Sequence, residues 1–268
     1  MGDAKSIVIK PISGHEASAL IRRVHYSGKT VNNSTLHLGV FYAGALEGAM
    51  QFGSPLDRRK VLPLVRGTEW NAMLELNRMA FSETLPRNSE SRAMGVAFRL
   101  LRKHRPDIKW ILSFSDGTQC GDGTIYRAAG FVLTGINQSH NLARLPSGEV
   151  VHKMTLESSV THPRPELNGR SYASVTGGKY DFKAYCAAAR ATVVPGYQLR
   201  YIKFLDPEWA DRLTVPVIPF DKIPDDARMY LGQKGLRAGL QKATGDHPEE
   251  GGADPTPALH SKDSEGSL

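Results

Sequence analysis

The sequence predicts a mixed α/β fold, in which strands are interleaved with amphipathic helices rather than segregated from them. Three observations carry this. The central stretch runs as a strand (MLELNRMAF), a polar turn leading into a helix (PRNSESRAMGVAFRLLRKH), a second strand (KWILSFSD), and a short helix before a further strand (GDGTIYRAAGFVLTG). Upstream, LHLGVFYAGALEGAMQFG carries apolar residues on two arms around Ala43, Gly44 and Ala45, the pattern of a hairpin. Apolar residues make up 40% of the 268, enough for a sizeable core.

From the N-terminus, Ile7, Val8 and Ile9 predict a strand that turns at Pro11. Ser13 and Glu16 have capping-box spacing. Ala17, Leu20, Ile21 and Val24 then follow at helical spacing, so a helix with one buried stripe ends near His25, Tyr26, Ser27 and Gly28. After the hairpin, PLDRRKVLPLVRGTEW is loop-like and basic, and its Arg58, Arg59, Lys60 and Arg66 suit a nucleic-acid-facing loop or a merely solvated one. Ala93, Val96, Ala97, Leu100 and Leu101 predict an amphipathic helix from Arg92 to His104. Alternation in KWILSFSD puts Trp110, Leu112 and Phe114 on one face with Asp116 at the strand exit, as a functional carboxylate or a cap. Asp122 can cap the short helix that Gly130 ends.

Beyond Thr134 the pattern predicts a polar connection, then a second hairpin around Pro146, Ser147 and Gly148 with EVVHKMTLE as its returning arm. THPRPELNGRSYASVTGGK is rich in Pro, Gly and Ser and reads as a linker or long loop. A helix is expected from Lys179 to Ala191. GYQLRYIKFLD alternates as a strand, with Tyr197, Leu199 and Tyr201 on one face. Its aromatics, interleaved with Arg200 and Lys203, suit base stacking or a half-buried edge strand. This divides the chain into a core (residues 1–160), a C-terminal elaboration packed on it (161–240) and a disordered acidic tail (241–268).

Charge narrows the partners. The net charge is +7, and the tail carries two lysines against six acids, so −4 there leaves +11 for the rest. Such a surplus favours a polyanion, with ordinary solubility as the plain alternative. Cys120 and Cys186 form no C-x-x-C pair, which points to free thiols rather than a disulfide framework or structural zinc. With no long apolar run, neither a membrane span nor a signal peptide is expected, and the cytoplasm is the expected compartment.

The order of elements, with YRAAGF before the late strand, resembles the GNAT acyltransferase superfamily. That resemblance implies a GNAT-like acyl-CoA N-acyltransferase fold with a C-terminal elaboration. Coenzyme A pyrophosphate would lie on the amides at the start of the Arg92 helix, because orphan N–H groups and the helix dipole favour anions there. Backbone groups near Met79 and Phe81 would pair with the pantetheine arm. The superfamily's pyrophosphate pattern keeps only Arg87 here and lacks its glycines, so Arg87, Ser89, Ser91 and Arg92 are the expected side-chain contacts.

Several phrases together are similar to the Mom family of bacteriophage DNA-modification proteins: HYSGK, GAMQFG with SPLDRRK, ELNRMAFSE, LPRNSESR, SFSDGTQCGDGTIYRAAGF, and PGYQLRYIKFLD with RLTVPVIPF. The resemblance covers the chain from about His25 to about Tyr230. It implies conversion of adenine in DNA to N6-(carbamoylmethyl)adenine, protecting phage DNA from host restriction, with acetyl-CoA and iron as associated cofactors and double-stranded DNA as partner. On the family pattern His25, Tyr26, Asp116 and Tyr126 form the active-site set. Tyr126 would be the acid that protonates departing CoA thiolate, Asp116 would position or deprotonate the adenine amine or bind a metal, and His25 is the candidate iron ligand. Arg58, Arg59, Lys60, Arg200 and Lys203 are the expected DNA contacts. A conventional amine acyltransferase and a non-catalytic DNA-shielding protein are the alternatives.

Overall fold

The structure, a computed structural model, describes residues 3–25, 28–117 and 121–225. Tyr26, Cys120 and the acidic tail lie outside the described residues. β1 (Val8–Pro11) leads into α1 (Gly14–Val24), which starts with the expected box: Ser13 accepts from the Glu16 amide, and Glu16 accepts from the Ser13 amide at 2.8 Å. β2 (Ser34–Tyr42) and β3 (Ala45–Gly53) form the hairpin, turning at Ala43 and Gly44, both at positive φ. β4 (Met73–Phe81), α3 (Ser89–His104), β5 (Trp110–Asp116) and α4 (Thr124–Ala128) make up the central stretch, with α2 (Arg58–Val61) preceding them.

The remainder is β6 (Val132–Arg144), β7 (Val150–His152), α5 (Lys153–Glu157), α6 (Tyr172–Thr176), α7 (Phe182–Ala188) and β8 (Thr192–Phe204). Eight strands form one sheet in the order β1-β2-β3-β4-β5-β8-β6-β7. β4 and β5 are parallel and joined through α3, and the other neighbours are antiparallel. The fold is mixed α/β, as expected. No helix among the described residues is long and apolar enough to cross a membrane.

Strand alternation sorts the core into two faces. Leu74, Ile111, Leu199 and Tyr201 face α3 and α4 and pack on Ala93, Ala97, Phe98 and Tyr126. The opposite face packs Ala49 and Ala80 on α1, and Met73, Trp110, Leu112 and Ile202 on Val61, Leu64 and Val65. A smaller core gathers Leu156, Leu167, Tyr172 and Tyr185 beneath α5, α6 and α7.

Several expectations are corrected. The basic stretch after the hairpin is not loop throughout: Asp57 caps α2, and Val61, Leu64 and Val65 are buried. The central helix starts at Ser89, three residues before the expected Arg92. The polar connection after Thr134 is strand, because β6 pairs with β8 out to Arg144. The returning arm is strand only to His152, whose side chain accepts from the Met154 amide and starts α5. The expected linker holds a 3-10 turn and α6, with Leu167 and Tyr172 buried. β8 is a central strand between β5 and β6, not an edge.

Candidate active site

The parallel pair β4 and β5 stays in register only from Met73–Trp110 to Glu75–Leu112, although β4 continues to Phe81 and β5 to Asp116. The cause lies on the other edge of β4. Leu76 pairs with Phe52 and Arg78 with Gln51, so Asn77 is an inserted residue. A bulge bends and twists its strand, and beyond it β4 leaves β5. Ser113 Oγ donates to the Leu76 carbonyl at 3.3 Å at this fork. An opening bordered by two strand edges suits an extended ligand that carries amides. Met79 and Phe81, both half-buried against the main core, lie on the β4 arm.

Tyr126 lines the α3 side of the fork. It is buried, stacked on Tyr201 with centroids 5.1 Å apart, and edge-on to Phe131 at 5.3 Å. Its hydroxyl lies 3.5 Å from the Phe114 carbonyl, a long contact. The preceding turn is tightly specified: Tyr201 donates to the Asp122 carbonyl, and a Cβ at Gly123 would lie 2.6 Å from the Tyr201 hydroxyl. Gly123 also sits at φ +71°, so glycine serves both needs.

At the mouth, Asn88 takes the left-handed conformation (φ 69°) and α3 begins behind it. Asn tolerates that region better than other side chains, which accounts for a tight turn without the expected glycines. Ser89 is fully buried and its hydroxyl donates to the Pro86 carbonyl at 2.6 Å, closing the turn. Its hydroxyl is thus engaged in the turn itself. Ser91 is half-buried, and Arg87 and Arg92 are exposed on either side of the first turn.

Between its two apolar clusters, the opposite face of the sheet carries polar groups. Before the bulge Glu75 shares it with Met73, and the inserted Asn77 turns Arg78 onto the same side, opposite Gln51. Burial raises the Glu75 carboxyl to about 7, against the opposing effects of Asn77 and the Arg78 guanidinium. Burial, with Arg78 nearby, lowers His25 to about 4, so its imidazole is neutral at neutral pH. Arg78 Nε donates to the Lys29 carbonyl at 3.3 Å, and Lys29 Nζ donates to Ser158 Oγ at 2.9 Å. Asp116, half-buried, follows Phe114 onto this face by alternation. Its carboxylate acts on His152, whose imidazole is lowered chiefly by burial. Tyr126 and Asp116, both in the expected active-site set, therefore approach from opposite faces of the sheet.

The expected DNA contacts divide. Arg59 and Lys60 are exposed, and Lys60 bridges Asp57 at 3.1 Å. Arg58 donates to the Trp70 carbonyl at 2.6 Å and lies over the Trp70 ring. Arg200 is instead tied to Thr134, donating to its hydroxyl at 3.1 Å and its carbonyl at 2.6 Å. Lys203, on the other face, donates to the Gly130 carbonyl at 3.1 Å. Those two are tied to the sheet and to the end of α4, whereas Arg59 and Lys60 stand in solvent. Among the described residues no group of three or more His, Cys, Asp or Glu could hold a metal ion, and Arg78 puts a positive charge beside His25. Tyr26, the neighbour of His25 in the expected set, lies outside the described residues.

Comparison with known proteins places this geometry in a family. The model of the Mom protein family matches residues 6–222. The chain belongs to the Mom protein family. A relative, the methylcarbamoylase mom of Escherichia phage Mu, is 33% identical over 222 residues, covering 82% of this chain and 85% of the relative. Among solved structures, the ribosomal-protein-S18-alanine N-acetyltransferase from Escherichia coli is similar at 10% identity and a TM-score of 0.39, over 75% of this chain and 94% of that one. A GNAT acetyltransferase from Elizabethkingia anophelis with acetyl-CoA bound matches at 13% identity and a TM-score of 0.36, over 73% and 97%.

In this member of the Mom family, sequence reasoning missed Glu75, Arg78 and His152. Glu75 and Arg78 stand three apart in MLELNRMAF, where strict alternation assigns them to opposite faces. An acid between two core leucines was the one available signal.

Proposed function

We propose that this chain is a transferase that modifies adenine in double-stranded DNA, installing a carbamoylmethyl group on N6 with acetyl-CoA as carbon donor. The modification would shield DNA from restriction enzymes in the host cytoplasm. The observation that carries the proposal is 33% identity over 222 residues to a methylcarbamoylase, spanning both arms of the fork. Its geometry supports a thioester donor: strand edges for the pantetheine amides, Arg87, Ser91 and Arg92 at the α3 start for the pyrophosphate, and the Tyr126 phenol for the departing thiolate.

The acceptor belongs on the opposite face. Adenine N6 must leave the base stack to be reached, and Glu75, near 7, is matched to take its proton at neutral pH. Asp116 orients the amine, and neutral His25 offers a hydrogen bond without charge. Tyr26, which follows His25, completes the family's set. The product bonds N6 to the acetyl methyl carbon and ends in an amide. Acetyl-CoA lacks that nitrogen, and forming the N–C bond removes two electrons from the methyl carbon. A nitrogen donor and a two-electron acceptor are therefore required as co-reactants.

Expression of the protein in bacteria, followed by digestion of total DNA to nucleosides and mass spectrometry, tests this. A deoxyadenosine adduct heavier by the carbamoylmethyl group is expected, and it should carry label from acetate. An unmodified deoxyadenosine pool from well-expressed protein overturns the proposal, and acetylated protein or small amines in its place would make the chain a conventional acetyltransferase.

A further inference from the structure

The segment between β3 and β4 leaves two large apolar side chains in solvent, Leu56 at 93% and Trp70 at 59% exposure. Neither placement is a loose end of the fold. The Arg58 guanidinium lies 4.5 Å over the Trp70 ring and donates to the Trp70 carbonyl at 2.6 Å and to the Ser54 hydroxyl. The indole is thus held rigid from one side while more than half of it stays open. Residues 54–72 carry four basic side chains against two acids, and Arg59, Lys60 and Arg66 are exposed. A second guanidinium–indole stack, Arg212 over Trp209 at 4.2 Å, adjoins it, because the Arg66 amide donates to the Arg212 carbonyl.

This ledge lies on the face of the sheet that carries Glu75 and Arg78, since Val61 and Leu64 beside it pack on Met73 and Leu112. The strap connecting α1 to β2 spans the two places. Its Lys29 carbonyl accepts from Arg78, and its Asn33 carbonyl accepts from the Ser54 amide at 3.1 Å. Four residues reach at most about 14 Å, which is no more than about four base steps along one strand of DNA.

We propose that Leu56 and Trp70 open the DNA duplex for this site. Leu56 enters the base stack, as apolar side chains do where proteins unstack a step. Trp70, braced by Arg58, stacks on an exposed base beside the extruded adenine, and Arg59, Lys60 and Arg66 hold the flanking phosphates. A rigid aromatic face ringed by cations fits a base between phosphates, because every base offers a π-face and every linkage a negative charge. The proposal rests on adenine in duplex DNA being the substrate.

The test compares wild type with Trp70→Ala, Trp70→Phe and Leu56→Asp. Each is given a duplex with 2-aminopurine beside the target adenine, then the same sequence single-stranded. Wild type should raise 2-aminopurine fluorescence in the duplex and modify both substrates. Leu56→Asp should lose at least about tenfold in duplex unstacking and duplex modification while its single-strand modification falls less, and Trp70→Ala should lose about tenfold on both substrates, the stacking contribution of one base. Trp70→Phe should retain most of both. Leu56 has too little packing to unsettle the fold, so Leu56→Asp decides the matter if Trp70→Ala melts early. An unchanged duplex-to-single-strand ratio in Leu56→Asp, together with undiminished modification of both substrates by Trp70→Ala, overturns the ledge alone. Failure of wild type on both substrates overturns the functional reading, and the ledge with it.

Discussion

Glu75 and His25 depart from ordinary titration in opposite directions for the same reason, burial, because each loses the charged form it would hold in water. Between about 4.5 and 7 folded Glu75 binds more protons than the unfolded chain, so its contribution to stability falls as pH rises through that window. Folded His25 binds fewer protons between 6.5 and about 4, so its contribution falls as pH falls. Glu75→Gln should therefore gain on wild type in urea melts from pH 4.5 to 7, by on the order of 3 kcal/mol at most. A constant difference across that range would show that the carboxyl titrates normally. The same substitution should lower adenine modification by about a hundredfold or more and remove the rise in rate through pH 7. Tyr126→Phe keeps the stack on Tyr201 and should slow the reaction without shifting that profile. Tyr126, Asp116 and His25 stood out as candidates in the sequence because recognisable motifs carry them. Glu75 did not, since nothing local distinguishes a buried acid from one that faces solvent.

At the scale of elements, the start of α3 and the bulge in β4 do the positioning. Asn88 holds its left-handed turn at a cost that glycine would avoid and a β-branched residue would increase. Asn88→Gly should preserve or slightly raise stability, whereas Asn88→Val should cost about 1–2 kcal/mol and weaken CoA binding with it, both readable by denaturation with and without CoA. CoA affinity unchanged in the valine variant would separate the turn from the anion site. α1, the first hairpin, β4, β5, α4 and the end at Gly130 were all legible, because each follows from periodicity and caps within about fifteen residues of one another. β6, α5 and α6 were not. Their residues are polar or rich in Gly and Pro, and they are ordered by pairing with β8 and by a small core whose members are scattered from Ala143 to Ala189.

For the whole molecule, the proposed function and the surplus of positive charge outside the tail together predict salt-dependent DNA binding, with exposed Arg59 and Lys60 as the cations to test. Removing Arg59 and Lys60 together should reduce the slope of log affinity against log salt by about 2, near 0.9 for each phosphate that is no longer neutralised. Arg200→Ala should leave that slope unchanged and lower thermal stability, because its hydrogen bonds go to Thr134 across the β6–β8 ladder. A slope that falls with Arg200 instead would return that residue to the DNA surface.

The sequence by itself determined the class of fold, the family, the basic character and a list of candidate residues, all properties of composition, short-range period and motif. Only the tertiary structure decided which charged groups act together. Arg78 joins Glu75 through one inserted residue in β4, and Arg200 is bound by a residue 66 positions away while Arg59 stays in solvent. Strand register and burial arise from contacts between distant segments, and those contacts set both the proton affinity of Glu75 and the exposure of Trp70.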